Sequence, residues 1–227
     1  MLQSERYLPN ETLVHIFTLL SQGDLTKVAL VSHHFNAIAE RSLYSSIDIA
    51  EAVIEDSDLP KRTLGWCDAM KRNQLYNASR KLSIQWHIYN DIETSLPHWC
   101  SLLSDNIRRL TLLDTLELFI GPSSGDATPA VELLIRDLRL PNLRHCLLDF
   151  DDPYYSKRKP NVICAFIASH SGLCFLAVLD ISESAMELVP HDAVPELSIF
   201  YGAGNGAAFI LPGRPVHHLL LSGKPCH

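Results

Sequence analysis

The sequence predicts an α/β protein in two parts: a three-helix module at the N-terminus, then an irregular solenoid of alternating short strands and helices. Three observations carry that expectation. Apolar residues recur at helical spacing from Leu13 to Ala39. From Arg80 onward, short strand-like apolar runs return every ~20 to 30 residues, several with a helix-like stretch between them. Finally, 227 residues at 47% hydrophobic content suffice for one large domain, or for a small module plus a medium one.

Leu13, Ile16, Phe17 and Leu20 fall at i, i+3, i+4 and i+7, the apolar stripe of an amphipathic helix of about three turns. Pro9 suits its first turn, where the missing N–H would have found no partner inside the helix. Gly23 is placed to break this helix. Asp24 is placed to cap a second one, whose apolar side is Leu25, Val28, Ala29 and Leu30. Ser32 caps a third, with Phe35, Ile38 and Ala39 on one face, before Leu43 to Ile49 turns to strand-like alternation. A bundle of only about 40 residues exposes too much apolar surface to stand alone without a metal, a disulfide or a partner. A partner is the natural inference.

The residues that build this module, Leu8-Pro9-x-Glu11-x-Leu13-x-x-Ile16-Phe17-x-x-Leu20, then Asp24-Leu25-x-x-Val28-Ala29-Leu30-Val31-Ser32, Phe35 and Leu43-Tyr44, resemble the F-box in nearly its full length and register. The resemblance implies an F-box domain at residues 5–49 that binds the Skp1-type adaptor of a cullin-RING ubiquitin ligase, and through it a cullin. Carried over position by position, the docking role falls to Leu8, Pro9, Leu13, Ile16, Phe17, Leu20, Leu25, Leu30, Val31 and Phe35. His33-His34 and Phe35 stand where many F-boxes have a basic residue and a tryptophan. The function implied is substrate-recognition adaptor of an SCF-type (Skp1-cullin-F-box) ubiquitin ligase. Such a chain has no active site of its own and works by holding a target near a separate enzyme. The alternative is an F-box/Skp1 scaffold without a ligase role.

Residues 50–79 read as a helical connector: Leu59-Pro60 and Lys61-Arg62 interrupt the periodicity, and Trp66, Met70 and Leu75 are sparse apolar anchors. Strands are expected at 80–84, 114–118, 143–150, 173–181, 197–200 and 216–221, with helices at 96–103, 129–138 and 162–168. With Leu116, Cys146 and Leu176 as equivalents the period is about 30 residues, falling to about 21 or 22 at Leu197 and Leu219. Units of this length resemble leucine-rich repeats. Leu140-Pro141-Asn142-Leu143 resembles the inter-repeat joint of F-box proteins with divergent repeats, although the asparagine of the repeat consensus is absent. Residues 80–227 are therefore expected to form a leucine-rich-repeat-like region that recognises a target protein of unknown identity, and a generic α/β sheet is the alternative. Pro225-Cys226-His227 follows a strand without an obvious polar capping unit, so a truncated or incompletely capped repeat region is expected.

The net charge of -7 comes from scattered acidic residues, which argues against a nucleic-acid partner. No apolar run follows a basic start, and none reaches the ~18 residues of a membrane span; the protein is expected in the cytoplasm, the nucleus or both. Six cysteines without a CxxC pair sit mostly among apolar neighbours and read as reduced core thiols. Gly121-Pro122-Ser123-Ser124-Gly125 matches GxSxG, with Asp180, His191 and His217 as downstream acid and base candidates. However, the residues before Pro129 make the turn too loose for a nucleophile elbow, and a Ser123-dependent hydrolase is the remote reading. Gly202-Ala203-Gly204-Asn205-Gly206-Ala207 mimics a dinucleotide fingerprint and is read as a loop, because Pro212 and Pro215 leave no room for the helix the mechanism needs. His33-His34 and His217-His218 are adjacent pairs whose rings should diverge rather than chelate one ion. No cofactor and no metal is expected. In the loop 151–161, Tyr154 and Tyr155 beside Lys157-Arg158-Lys159 are candidate target contacts, since exposed aromatics near cations are enriched at interfaces.

Overall fold

The computed structural model describes residues 8–53, 60–73, 75–88, 96–121, 130–149, 161–179 and 187–222. Ser123, Tyr154, Tyr155, the basic run 157–159, Asp180 and the C-terminal residues from 223 on lie outside them. The chain divides into two compact units between Ile47 and Asp48.

Three helices make the first unit: α1 (Asn10–Phe17), α2 (Gln22–Ala29) and α3 (His33–Leu43). Two boundaries differ from expectation. Gly23 does not break α1, which has ended by Phe17, but sits in the first turn of α2. The cap is Ser21, whose Oγ accepts the Asp24 N–H at 3.1 Å and donates to the Asp24 carboxylate at 2.7 Å. Asp24 thus sits in the first turn and pairs with the capping hydroxyl rather than starting the helix. Leu43 ends α3 instead of opening a strand, and β1 (Ser46–Val53) begins three residues later.

In the second unit, strands and helices alternate as α4 (Lys61–Asn73), β2 (Lys81–Ile88), α5 (Leu96–Ile107), β3 (Thr115–Gly121), α6 (Ala130–Ile135), β4 (His145–Asp149), α7 (Asn161–Ala168), β5 (Phe175–Leu179), β6 (Ile199–Ala203), α8 (Gly204–Ile210) and β7 (His218–Ser222). The seven strands lie in one sheet in chain order, β1 at one edge, and each pair from β2 to β7 is parallel. Each strand and helix expected beyond residue 80 coincides with one of these. Residues 50–79, expected as a helical connector, carry the helix α4 and, beyond that expectation, the second half of β1. Glu51 of β1 caps α4 through the N–H groups of Arg62 and Thr63 and accepts the Thr63 hydroxyl at 2.6 Å. That hydroxyl in turn accepts Trp86 Nε1–H of β2 at 3.0 Å. A carboxylate facing the positive end of a helix explains why a charged strand residue stays here.

From β2 to β5 alternate residues are buried, Leu82, Ile84 and Trp86; Leu116, Leu118 and Ile120; Cys146 and Leu148; Leu176 and Val178, and the intervening Ser83 and Ala177 are buried as well. They form the core with buried residues of the helices, among them Trp99, Leu103 and Ile107 of α5, Leu134 and Ile135 of α6, and Ile163, Phe166 and Ile167 of α7. Joints between units repeat. The carbonyls of Arg80, Asp114, Arg144, Cys174 and Ser198 each accept two N–H groups at the start of the next strand, at 2.8–3.2 Å. Before them, tight turns bond Leu113 to Leu110, Leu143 to Leu140, Leu173 to His170 and Leu197 to Val194, each at 3.1 Å. Leu197 is therefore a turn leucine, equivalent to Leu113, Leu143 and Leu173, and not a strand leucine. The strand series runs Leu116, Cys146, Leu176, Phe200, Leu219, with spacings of 30, 30, 24 and 19.

Two side chains show how individual units close. His170 sits in the turn where leucine stands in the two preceding units. Its Nε2 accepts the Leu140 N–H at 3.0 Å, which leaves Nδ1 to donate to the Phe166 carbonyl at 2.6 Å. Burial holds its pKa below the ordinary imidazole value. In β6, Phe200 folds over Gly202: a Cβ at 202 would lie 2.8 Å from the Phe200 ring and 2.9 Å from the Val178 carbonyl. Gly204–Ile210, expected as a loop, is a seven-residue helix with Gly206, Ala207 and Ile210 buried. Small residues let so short a helix lie close to the sheet. No helix among the described residues is long and apolar enough to cross a membrane.

Candidate protein-interaction site

In the helical unit, Leu13 and Phe17 of α1, Leu25 of α2, and Ile38 and Ala39 of α3 form a small buried core. Phe17 meets the Phe35 ring edge-on at a centroid distance of 5.7 Å. Leu20, Val28, Ala29, Phe35 and Leu43 close around it. Ser32 caps α3 through the Phe35 N–H at 3.1 Å, and Asn36 donates to the Ala29 carbonyl at 3.3 Å, which ties α3 to the end of α2. The hydrogen bonds from Ser21 and then Lys27 hold the Asp24 carboxyl below its usual range.

Outside this core lie six large aliphatic side chains: Leu8, Val14, Ile16, Leu19, Leu30 and Val31. Leu19, Leu30 and Val31 are 77%, 86% and 68% exposed. Apolar side chains this exposed on a unit with so small a core are the candidates for contact with a partner. The ten residues assigned to docking are sorted by their packing. Leu8, Pro9, Ile16, Leu30 and Val31 are exposed; Leu20 and Phe35 are half-buried; Leu13, Phe17 and Leu25 are buried in the unit's own core and present little surface to a partner. The i, i+4 pair Leu13 and Phe17 is used inward, so Ile16 turns out. Val14 and Leu19 are additions. Their signal in the sequence is that they are apolar yet fall outside the i, i+3, i+4 stripe.

A second surface lies on the sheet. Residues alternating with the core strand positions form its other, open face in rows fixed by the register: Lys81, Thr115, His145, Phe175, Ile199 and His218; then Ser83, Glu117, Leu147, Ala177, Tyr201 and Leu220, of which Ser83 and Ala177 are buried. Phe175, Leu147, Ile199 and Tyr201 are half-buried there, and Lys81 pairs with Glu117 across β2 and β3 at 2.6 Å. On β7, Leu219, Leu220 and Leu221 are all exposed.

Other sequence candidates do not assemble into a chemical site among the described residues. His191 and His217 are both exposed. The His217 and His218 rings do not diverge as expected but pack 4.7 Å apart at 60°, since His217 precedes the strand and escapes its alternation. No group of three or more His, Cys, Asp or Glu is placed to hold a metal among the described residues. Cys67, Cys100, Cys146 and Cys164 are buried free thiols; Cys174 is half-buried. Burial raises the thiols of Cys67 and Cys100 to about 12 and that of Cys164 to about 11, and pushes Cys146 higher still.

A family model described as F-box-like matches residues 6–50, which take in the three helices and the first residues of β1. The chain matches no curated protein.

Proposed function

With residues 6–50 an F-box-like domain, we propose that the chain is the substrate-recognition adaptor of an SCF-type ubiquitin ligase. The observation that carries this reading is the exposed aliphatic set on that domain. Leu8, Pro9, Val14, Ile16, Leu19, Leu30 and Val31 are the residues we assign to the Skp1-type adaptor, with Leu13, Phe17 and Leu25 holding the helices that present them. The adaptor leads to a cullin. The sheet unit is read as an irregular leucine-rich-repeat-like solenoid, in keeping with its chain-order parallel strands and its repeating joints. Its open face holds the target protein. Ubiquitin transfer is done by a separate enzyme, and this chain's part is to raise the local concentration of the target. It acts in the cytoplasm, the nucleus or both.

The test is affinity capture from cells with the full chain and with Leu30→Asp/Val31→Asp. Both side chains are largely exposed, so the double variant keeps its fold. The wild type should bring down a Skp1-type protein and a cullin, and the variant neither. Equal capture by both proteins rejects the docking face. Capture of the adaptor without a cullin, reproducibly, rejects the ligase role and leaves a scaffold.

A further inference from the structure

We propose that the β7 edge of the sheet pairs with β7 of a second copy of this chain, antiparallel and about a two-fold axis at Leu220. β7 is the last strand in the sheet order, so one side of its backbone meets no further strand among the described residues. The His218 N–H points inward, to the carbonyl of Ser198 just before β6, at 3.2 Å. Ladder groups alternate along a strand, so the N–H and C=O groups of Leu219 and Leu221 point to the free edge. In the antiparallel arrangement Leu219 of either copy lies opposite Leu221 of the other. Each such pair exchanges both of its N–H···O=C bonds, and Leu220 faces Leu220 between them as the closer pair without backbone bonds.

The side chains and the charge choose the occupant. Leu219, Leu220 and Leu221 are 46–58% exposed although they alternate between the two faces of the sheet. Read against itself in reverse, His218-Leu219-Leu220-Leu221-Ser222 sets leucine opposite leucine on both faces and opposes no like charges. From Leu197 to Ser222 the sequence has no Asp or Glu. Its one formal cation, Arg214, is buried, with its guanidinium on the carbonyls of Pro190, Ala193 and Ile210. Copies of a chain with net charge -7 repel one another through their acidic surfaces, and this end brings none of that charge to the contact. The opposite edge of the sheet differs. β1 carries Glu51 and the exposed Asp48, and charges on an edge strand oppose pairing. Head-to-tail addition of β7 to β1 is therefore disfavoured, and pairing of β7 with its own kind closes the assembly at two copies.

The experiment is sedimentation velocity on the full chain, alone and with a Skp1-type protein, across the micromolar concentration range. The chain should pass from one copy to two as concentration rises and go no further. Leu220→Lys sets two ammonium groups against each other at the axis and should hold the chain at one copy throughout. Leu220 is exposed, so this variant should keep the wild-type unfolding temperature. Leu221→Pro is the second variant, for use if it does not. It removes an N–H that faces the free edge, where a sheet tolerates proline, and should weaken the dimer at least about tenfold. Leu220→Cys should give a disulfide-linked dimer under mild oxidation in higher yield than wild type, because the facing pair lies within disulfide reach. A single copy at every concentration overturns the proposal and leaves the edge to a strand from a target protein. A dimer unchanged by both Leu220→Lys and Leu221→Pro overturns β7 as its seat. Assemblies that grow beyond two copies overturn the two-fold pairing.

Discussion

Leu30 and Leu13 have the same side chain and opposite fates, so truncating each to alanine separates docking from folding. Leu30 is 86% exposed, and Leu13 is 5% exposed in a core with Phe17, Leu25 and Ile38. If a partner covers Leu30, Leu30→Ala removes three buried carbons from that interface. At about 0.8 kcal/mol per carbon this is ~2 kcal/mol, or roughly 30-fold in Kd. The free chain loses almost nothing, and its stability should stay within ~0.5 kcal/mol of wild type. Leu13→Ala leaves a cavity in a core of few residues and should cost about 2–5 kcal/mol of folding free energy. Binding then falls because the domain is less often folded. Titration calorimetry against a Skp1-type protein gives the first quantity, and urea unfolding followed by circular dichroism gives the second. Unchanged affinity for Leu30→Ala refutes the assignment of the exposed set to docking. Unchanged stability for Leu13→Ala refutes the division into core and face.

Gly202→Ala should destabilise the sheet unit by about 1–3 kcal/mol in urea unfolding, since the added methyl meets both the Phe200 ring and the Val178 carbonyl; Phe200→Leu in the same chain should recover the part due to the ring. For His170 the folded-state pKa is lowered, so below the ordinary value of about 6.5 the unfolded chain binds the extra proton more readily. Its contribution is complete above that pH and lost as pH falls through and below it. His170→Ala should be less stable at pH 8 and show a shallower loss between pH 7 and 5 when unfolding is followed by tryptophan fluorescence.

The helical unit was legible because its information is local: caps, helical spacing and a short motif act within a few residues. What the sequence did not separate was inside from outside. Leu13, Ile16 and Phe17 share one stripe in projection, and only the packing of α3 on α1 turns Ile16 out and the other two in. The parallel strands beyond residue 80 were legible as short apolar runs separated by helix-like stretches, which is a local signal. Their register was not. Leu197 has the same chemistry in a turn as in a strand, and Phe200 becomes its own marker only once the chain reverses at Val194. Residues 204–210 failed for a related reason: Gly204 and Gly206 are poor helix formers, and here contact with the sheet overrides propensity.

Leu30 and Val31 are the most informative residues of the proposed docking face because of how they are held. They occupy the turn between α2 and α3, where the Leu30 N–H bonds the Lys27 carbonyl at 3.1 Å and the Val31 N–H bonds the Val28 carbonyl at 3.0 Å. Ser32 fixes the start of the next helix, and Asn36 reaches back to the Ala29 carbonyl. An apolar pair on such a turn has little backbone freedom left to lose when a partner covers it, so less of the burial energy is spent on ordering. The same bonds explain how a unit with so small a core keeps these side chains outside it. A collapse that buried Leu30 and Val31 would have to break the α2 end, the Ser32 cap and the Asn36 bond together. Hydrogen bonding therefore keeps apolar surface exposed where hydrophobicity alone would bury it, and that opposition is what makes the surface available to a partner.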